Sequence, residues 1–245
     1  MANNDLLKST RLLDFNHPTI QKLVQSKNWR NLSDYDKIGA AYDFVQNQIK
    51  FGYNRKDSIP ASEVLKDGYG QCNTKGTLLM ALLRALNIPC RLHGFTIKKS
   101  LQRGVVPELV YAIAPENILH SWVEVQFEDQ WVYLEGFILD RAFLGQLQKE
   151  FSDQSSLCAY GVGTDCLQTP NIDWTGQNTY IQRTGINQDF GLFDTPDEFY
   201  AEHQQEFSPL KDFLYQHIIR HWMNARVANA RRGNIPIIPT KKGAQ

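Results

Sequence analysis

The stretch Gly68-Tyr69-Gly70-Gln71-Cys72-Asn73-Thr74-Lys75-Gly76-Thr77-Leu78-Leu79-Met80-Ala81-Leu82-Leu83-Arg84-Ala85-Leu86-Asn87-Ile88-Pro89 decides how this 245-residue chain is read. Two glycines, at 68 and 70, interrupt regular structure and announce a turn. Leu79, Leu82, Leu83 and Leu86 then recur at three- and four-residue steps, with Leu78 and Ala85 widening the apolar face, which predicts an internal helix. Asn87 tolerates a left-handed cap and Pro89 cannot continue a helix, so the helix is expected to stop there. Cys72 therefore stands at a helix N-terminus.

That position has chemical meaning. An ordinary thiol, with a pKa of about 8.5, is only a few per cent thiolate at neutral pH, so a nucleophilic cysteine needs assistance. The amide groups and partial positive charge of a helix N-terminus favour an anionic sulfur and can donate to a developing oxyanion. Gly68 and Gly70 allow a substrate carbonyl to approach the backbone closely. Gln71 is a candidate oxyanion donor, and Tyr69 a candidate for lining the cleft.

A base is required, and of the six histidines only His120 opens a strand beside an aromatic-rich hairpin. Val123, Val125 and Phe127 alternate with Trp122, Glu124 and Gln126, a polar turn follows at Glu128 to Gln130, and Trp131 to Leu134 resumes the strand pattern. A turn at Glu128 and Asp129 puts Glu135 opposite Trp122 and on the diagonal from His120, roughly 7 to 8 Å away at the backbone and within reach of long side chains. A carboxylate there can fix the tautomer and orientation of the imidazole. Trp122 is a cleft candidate, although a core or hairpin role suits it and Trp131 better.

Three ordered blocks now stand together: Gly70-Gln71-Cys72 with the helix running to Leu83-Arg84-Ala85-Leu86-Asn87-Ile88-Pro89-Cys90-Arg91; His120-Ser121-Trp122-Val123-Glu124-Val125; and Trp131-Val132-Tyr133-Leu134-Glu135. Over about residues 40 to 140 they resemble the transglutaminase-like superfamily of cysteine enzymes. The resemblance implies a papain-like α+β fold, a nucleophile helix packed against an antiparallel sheet, and a Cys-His-Asp triad working through a thioester as protease, amidase, peptide N-glycanase or transglutaminase. By position Cys72 takes the nucleophile role, His120 the base and Glu135 the orienting acid. The third member is usually Asp, so Asp140 stays open as the alternative. No cofactor and no metal is expected, and the substrate is expected to be a protein or peptide amide. A binding module on the same fold without turnover, and an acyl-CoA-dependent acetyltransferase, are the competing functions.

Outward from these blocks, Pro18 suits a first helical turn with Ile20, Leu23 and Val24 on one face, and Ser33 followed by Asp36 resembles a capping box ahead of Ile38, Tyr42, Val45 and Ile49. A short helical turn is expected at Ser62 to Leu65, and strands at Cys90 to Ile97 and at Leu109 to Ile113. The link from Lys98 to Leu119 is longer than the superfamily's usual one and is expected to help select the substrate. Ser152 to Asp194 reads as a long stretch with little periodicity that walls the site. Two helices are expected at Pro196 to Phe207 and Pro209 to about Arg232, then a frayed tail. In domain terms this is a catalytic domain over 1–195, with its core at about 34–150, and a helical extension over 196–245.

Bulk composition agrees with this reading. Hydrophobic content of 42% and charged content of 21% are ordinary for a globular chain. Zero net charge and a pI near 7 give no basic field for nucleic acid or an anionic membrane. A polar N-terminus and the lack of a long apolar run point to the cytoplasm. Cys90 reads as a small buried hydrophobe, and Cys158 and Cys166 as free thiols. The six Lys or Arg residues after Asp212 have no acid among them, and Arg231 and Arg232 suit the end of a helix.

Overall fold

Two N-terminal helices begin where the chain supplies their caps. α1 (Pro18–Ser26) opens on Pro18, and α2 (Asp34–Asn47) opens on Ser33, whose hydroxyl accepts from the Asp36 amide at 3.2 Å. The computed structural model describes residues 4–205 and 208–239. The order continues as β1 (Lys50–Phe51), α3 (Ala61–Asp67), β2 (Tyr69–Gly70), α4 (Cys72–Ala85), β3 (Cys90–Lys98), α5 (Glu108–Ile113), β4 (Asn117–Phe127) and β5 (Gln130–Leu134). It ends with α6 (Arg141–Glu150), β6 (Leu157–Ala159), β7 (Val162–Thr164), β8 (Ile186–Phe193), α7 (Pro196–Glu202), α8 (Pro209–Leu214) and α9 (Arg220–Arg231), a π-helical turn at Tyr215–Ile219 joining the last two.

The main sheet has the order β5-β4-β3-β8 and is antiparallel throughout. α4 packs against β4 and β3, so the chain adopts the expected α+β class, with the Cys72 helix on an antiparallel sheet. Every residue from Cys72 to Arg84 is buried, as befits a helix enclosed on all sides. Its polar members are therefore paired. Lys75 Nζ donates to Gln46 O at 3.2 Å, near the end of α2, and to Ile138 O at 2.9 Å, and burial pushes its pKa down to about 7. Asn87 ends the helix with φ 63°, and Glu128 and Asp129, at φ 48° and 62°, form the tight β4–β5 turn.

Several expectations are corrected. The run Leu109 to Ile113 is helical in α5, not a strand: Pro107 starts a helix readily, and among the described residues no strand pairs with the segment, in which Leu109 is 81% and Ile113 66% exposed. The stretch from Ser152 to Asp194 contains the β6–β7 hairpin and β8, a full edge strand of the main sheet. The strand is masked in sequence by register shifts at Gly94/Phe95 and Thr96/Ile97 and by the polar Asn187, Gln188 and Asp189, residues that suit an exposed edge. The helix from Pro196 stops at Glu202, and residues 206–207 lie outside the described residues. The tail is docked as far as Pro239: Tyr160 donates to Pro236 O at 2.6 Å, Arg103 donates to Pro239 O at 2.9 Å, and Ile235 and Ile238 pack on the core. Positions 240–245 lie outside the described residues. Cys90 is buried and Cys158 and Cys166 are exposed, all unbridged. Among the described residues no helix is long and apolar enough to cross a membrane.

Asp140 is the knot between the ends of the fold. Its carboxylate caps α6 through the Phe143 amide at 3.0 Å, accepts from the Phe51 amide at 2.9 Å, and takes both Nε and Nη2 of Arg231 in α9, at 3.0 and 2.7 Å. Burial raises the carboxyl pKa, but Arg231 and the two amides more than offset this and hold it below the ordinary 3.8. Its contribution to stability is therefore complete above the ordinary carboxylate range and is lost as pH falls through the folded value. Arg231→Ala leaves this buried charge without its cation. It is expected to cost about 3 kcal/mol in urea unfolding at neutral pH and to flatten the loss of stability on acidification.

Candidate active site

The start of α4 is tied down before it reaches the cysteine. The Gln71 amide donates to Thr74 Oγ1 at 3.1 Å, and the Thr74 hydroxyl donates to Asn54 Oδ1 at 2.6 Å. A Cβ on Gly70 would lie 2.7 Å from Thr74 Oγ1, so glycine is required there. The Gln71 side chain is fully engaged: Oε1 accepts from the Asn54 amide at 3.0 Å, and Nε2 donates to Asp57 Oδ1 at 2.8 Å. Burial raises the Asp57 pKa against the hydrogen bonds from Gln71 and Asn73. With the Gln71 amide committed, the donors nearest the sulfur are the backbone N–H groups of the first turn of α4, which have no intrahelical acceptor.

Cys72 is 8% exposed and opens onto a cleft of about 810 Å³. The link between β3 and β4 contributes Val110 and Ile113 to its walls, β4 itself contributes Ile118, and the C-terminal helical segments contribute Tyr200, Leu214 and Met223. Gly161 and Gln182, from the long segment after α6, also line it.

His120 and Glu135 meet in full burial. The β4–β5 register ends at Val123/Leu134, one step short of Trp122/Glu135, and from there Glu135 Oε1 reaches His120 Nε2 at 2.9 Å, with both side chains at 0% exposure. Glu135 Oε2 accepts from the amides of Ile181 and Gln182, each at 2.9 Å. His120 Nδ1 has no partner of full hydrogen-bond geometry among the described residues, and the Cys72 sulfur is the neighbour that acts on the ring most strongly. Burial alone pushes the imidazole pKa down. The Cys72 sulfur and Glu135, each by charge and hydrogen bonding, more than offset this and lift it from 6.5 to about 10.

The sequence-predicted residues divide cleanly. Cys72, His120 and Glu135 come together, whereas Asp140 is engaged with Arg231 and the amides of Phe51 and Phe143, so the carboxylate on His120 is that of Glu135. Gln71 lines the cleft with its side chain turned to Asn54 and Asp57. Tyr69 does not line the cleft; its hydroxyl accepts from Arg220 at 3.3 Å. Trp122 does not line it either, and packs against Phe95, with ring centroids 4.2 Å apart, and against Tyr133.

Sequence reasoning missed Asn73. Its Nδ2 donates to Leu119 O at 3.2 Å and its Oδ1 accepts from Ser121 Oγ at 3.0 Å, so the residue after the cysteine clamps both neighbours of His120. The available signal was an amide side chain in the first turn of a helix read as internal. Among the described residues no group of three or more His, Cys, Asp or Glu is arranged to hold a metal ion.

Residues 21–136 match the family model of the Transglutaminase-like superfamily. That segment is similar to the core of the superfamily. It contains Cys72, His120 and Glu135, and ends before α6. Over 111 residues the chain is 29% identical to the uncharacterized protein YebA of Bacillus subtilis (strain 168), covering 41% of this chain and 15% of YebA. A solved protein of Cytophaga hutchinsonii, described as a "putative cysteine protease", superposes with a TM-score of 0.46 at 14% identity, covering 81% of this chain and 50% of that one. The chain thus spans half or less of the length of these relatives.

A raised histidine pKa carries a definite sign. The imidazolium contributes fully to stability below the ordinary 6.5, and that contribution is lost as pH rises through about 10. NMR titration of the protein is expected to find His120 titrating far above the ordinary histidine range, and markedly lower in Cys72→Ala and in Glu135→Gln. Titration near 6.5 in the wild type would refute the coupling to the sulfur and the carboxylate.

Proposed function

We propose that the chain is a thiol enzyme that transfers the acyl group of a peptide or side-chain amide through a thioester at Cys72. The observation that carries this reading is the buried Glu135–His120 hydrogen bond, with the remaining imidazole nitrogen left for a sulfur at a helix N-terminus and on a cleft. In the first half-reaction the thiolate attacks the amide carbon, and the C=O pair moves onto oxygen. Collapse of that intermediate breaks the C–N bond, and the leaving nitrogen takes the proton from His120. In the second, His120 takes a proton from water or from an acceptor amine, whose oxygen or nitrogen attacks the thioester and releases the thiolate. Glu135 holds the imidazole tautomer and orientation throughout. Water gives hydrolysis and an amine gives transamidation, and analysis of the product separates the two.

The same reading extends to substrate. The apolar Val110, Ile113 and Leu119, together with Leu214, Ile219 and Met223, line the cleft and favour a protein or peptide segment with apolar side chains beside the amide that reacts. Val110 and Ile113 come from the β3–β4 link, in keeping with a role in substrate selection.

The chain carries its own control for a test of thiol activation, because Cys158 and Cys166 are exposed and unbridged. Iodoacetamide at about pH 6.5, where an ordinary thiol is roughly one per cent ionised, is expected to label Cys72 at least about tenfold faster than either of them. His120→Ala is expected to remove that advantage. A panel of glutaminyl, peptidyl and glycosyl-asparagine substrates is expected to yield turnover that Cys72→Ala lowers by at least about 10⁴-fold while the protein stays folded. A folded wild type whose Cys72 labels no faster than Cys158, with no turnover on the panel, would instead indicate a binding module.

A further inference from the structure

Among the described residues, two buried groups beside Cys72 lack a protein partner of full hydrogen-bond geometry: His120 Nδ1 and the hydroxyl of Tyr200. The first is accounted for by the sulfur. The second comes from α7, well beyond the transglutaminase-like core, on a side chain that is only 5% exposed and lines the same cleft as Cys72. A buried polar atom without a partner is costly to keep, and it calls for a ligand that completes it.

The nearby side-chain amides are already oriented by protein partners. Gln71 Nε2 donates to Asp57 and Asn73 Nδ2 to Leu119 O. Ser121 lies close enough to Tyr200 to pull its pKa down a little, but it donates its own proton to Asn73 Oδ1 at 3.0 Å, and the pair does not reach full hydrogen-bond geometry. The phenol is also firmly positioned. A Cβ on Gly94 of β3 would fall 2.4 Å from the Phe199 ring, so that ring seats α7 directly on the strand backbone. Thr195 caps the helix through the Glu198 amide at 3.1 Å, and Asp197 accepts from Thr10 and from the Leu12 amide. Burial, then the negative charges of Asp57 and Cys72, raise the Tyr200 pKa far above its ordinary value, so the hydroxyl stays protonated and acts as a donor.

We propose that the Tyr200 hydroxyl is a catalytic hydrogen-bond donor to the oxyanion that forms when Cys72 attacks a substrate carbonyl. This rests on the acyl-transfer reading above. As the C–S bond forms and the C=O pair moves onto oxygen, the phenol O–H and the first-turn amide groups of α4 share the new negative charge. When the oxyanion collapses and the C–N bond breaks, the phenol keeps its proton and returns to an unfilled state. The site is then built from two parts of the chain: the superfamily core supplies the nucleophile and the base, and α7 supplies part of the electrostatic stabilisation.

Two reagents separate this role from any other. Iodoacetamide alkylates sulfur by direct displacement and forms no oxyanion, whereas p-nitrophenyl acetate acylates sulfur through one. In Tyr200→Phe, acylation of Cys72, followed by p-nitrophenolate release, is expected to slow by about 10²-fold or more, while the alkylation rate stays within about twofold of wild type. The variant keeps the ring and removes only the unpaired hydroxyl, so its thermal midpoint is expected to be unchanged or higher. Unchanged acylation in Tyr200→Phe would overturn the proposal, and so would an equal fall in both rates, which would mean that Tyr200 acts on the sulfur. Failure of the underlying reading looks different: wild-type Cys72 would itself be acylated no faster than N-acetylcysteine at the same pH, and the proposal would fall with it.

Discussion

A carboxylate with no exposure to water is tolerated only when nearly all of its lone pairs are taken, and Glu135 is such a group. His120 takes one oxygen and the amides of Ile181 and Gln182 take the other. Those partners lie on β4 and on the segment leading into β8, so the charge obliges a distant part of the chain to close over the hairpin. The same arrangement directs His120: with Nε2 committed to Glu135, Nδ1 is the nitrogen left for Cys72. Remove the carboxylate and the imidazole loses its orientation, while the two amides lose the acceptor that fixes the loop.

Much of this was legible in sequence, because it rests on short-range signals. The apolar spacing of Leu79 to Leu86 and the glycines before Cys72 fix the helix and its start, and the polar turn at Glu128 and Asp129 fixes the register that brings Glu135 to the diagonal from His120. The failures have physical causes. Leu109 to Ile113 reads as a strand because five residues with mixed strand and helix preference carry no period long enough to decide between the two. β8 escapes a sequence reading because two register shifts break its alternation and most of its exposed positions are polar. Tyr200 and Asp57 gave no signal at all, since a cleft wall is assembled from residues that share no local pattern.

Gln71 illustrates a limit of position as a guide. A side chain next to a cysteine at a helix start looks available for chemistry, but both ends of this amide are used to hold Asn54 and Asp57 against the start of α4. Asn73, on the other side of Cys72, is likewise engaged, in its case with the backbone and hydroxyl that flank His120. The side chains on either side of the sulfur therefore serve geometry.

The dependence of Asp140 on Arg231 has a consequence for how the protein is made. Synthesis runs from the N-terminus, and early segments begin to fold before late ones exist. Cys72, His120 and Glu135 all leave the ribosome well before Ile181 and Gln182 can satisfy Glu135, before α7 seats on β3, and before α9 delivers the guanidinium that neutralises Asp140. A partly synthesised chain thus holds the Cys72 sulfur without the cleft onto which it opens. Completion of the C-terminal helices is, in effect, the step that encloses the thiol.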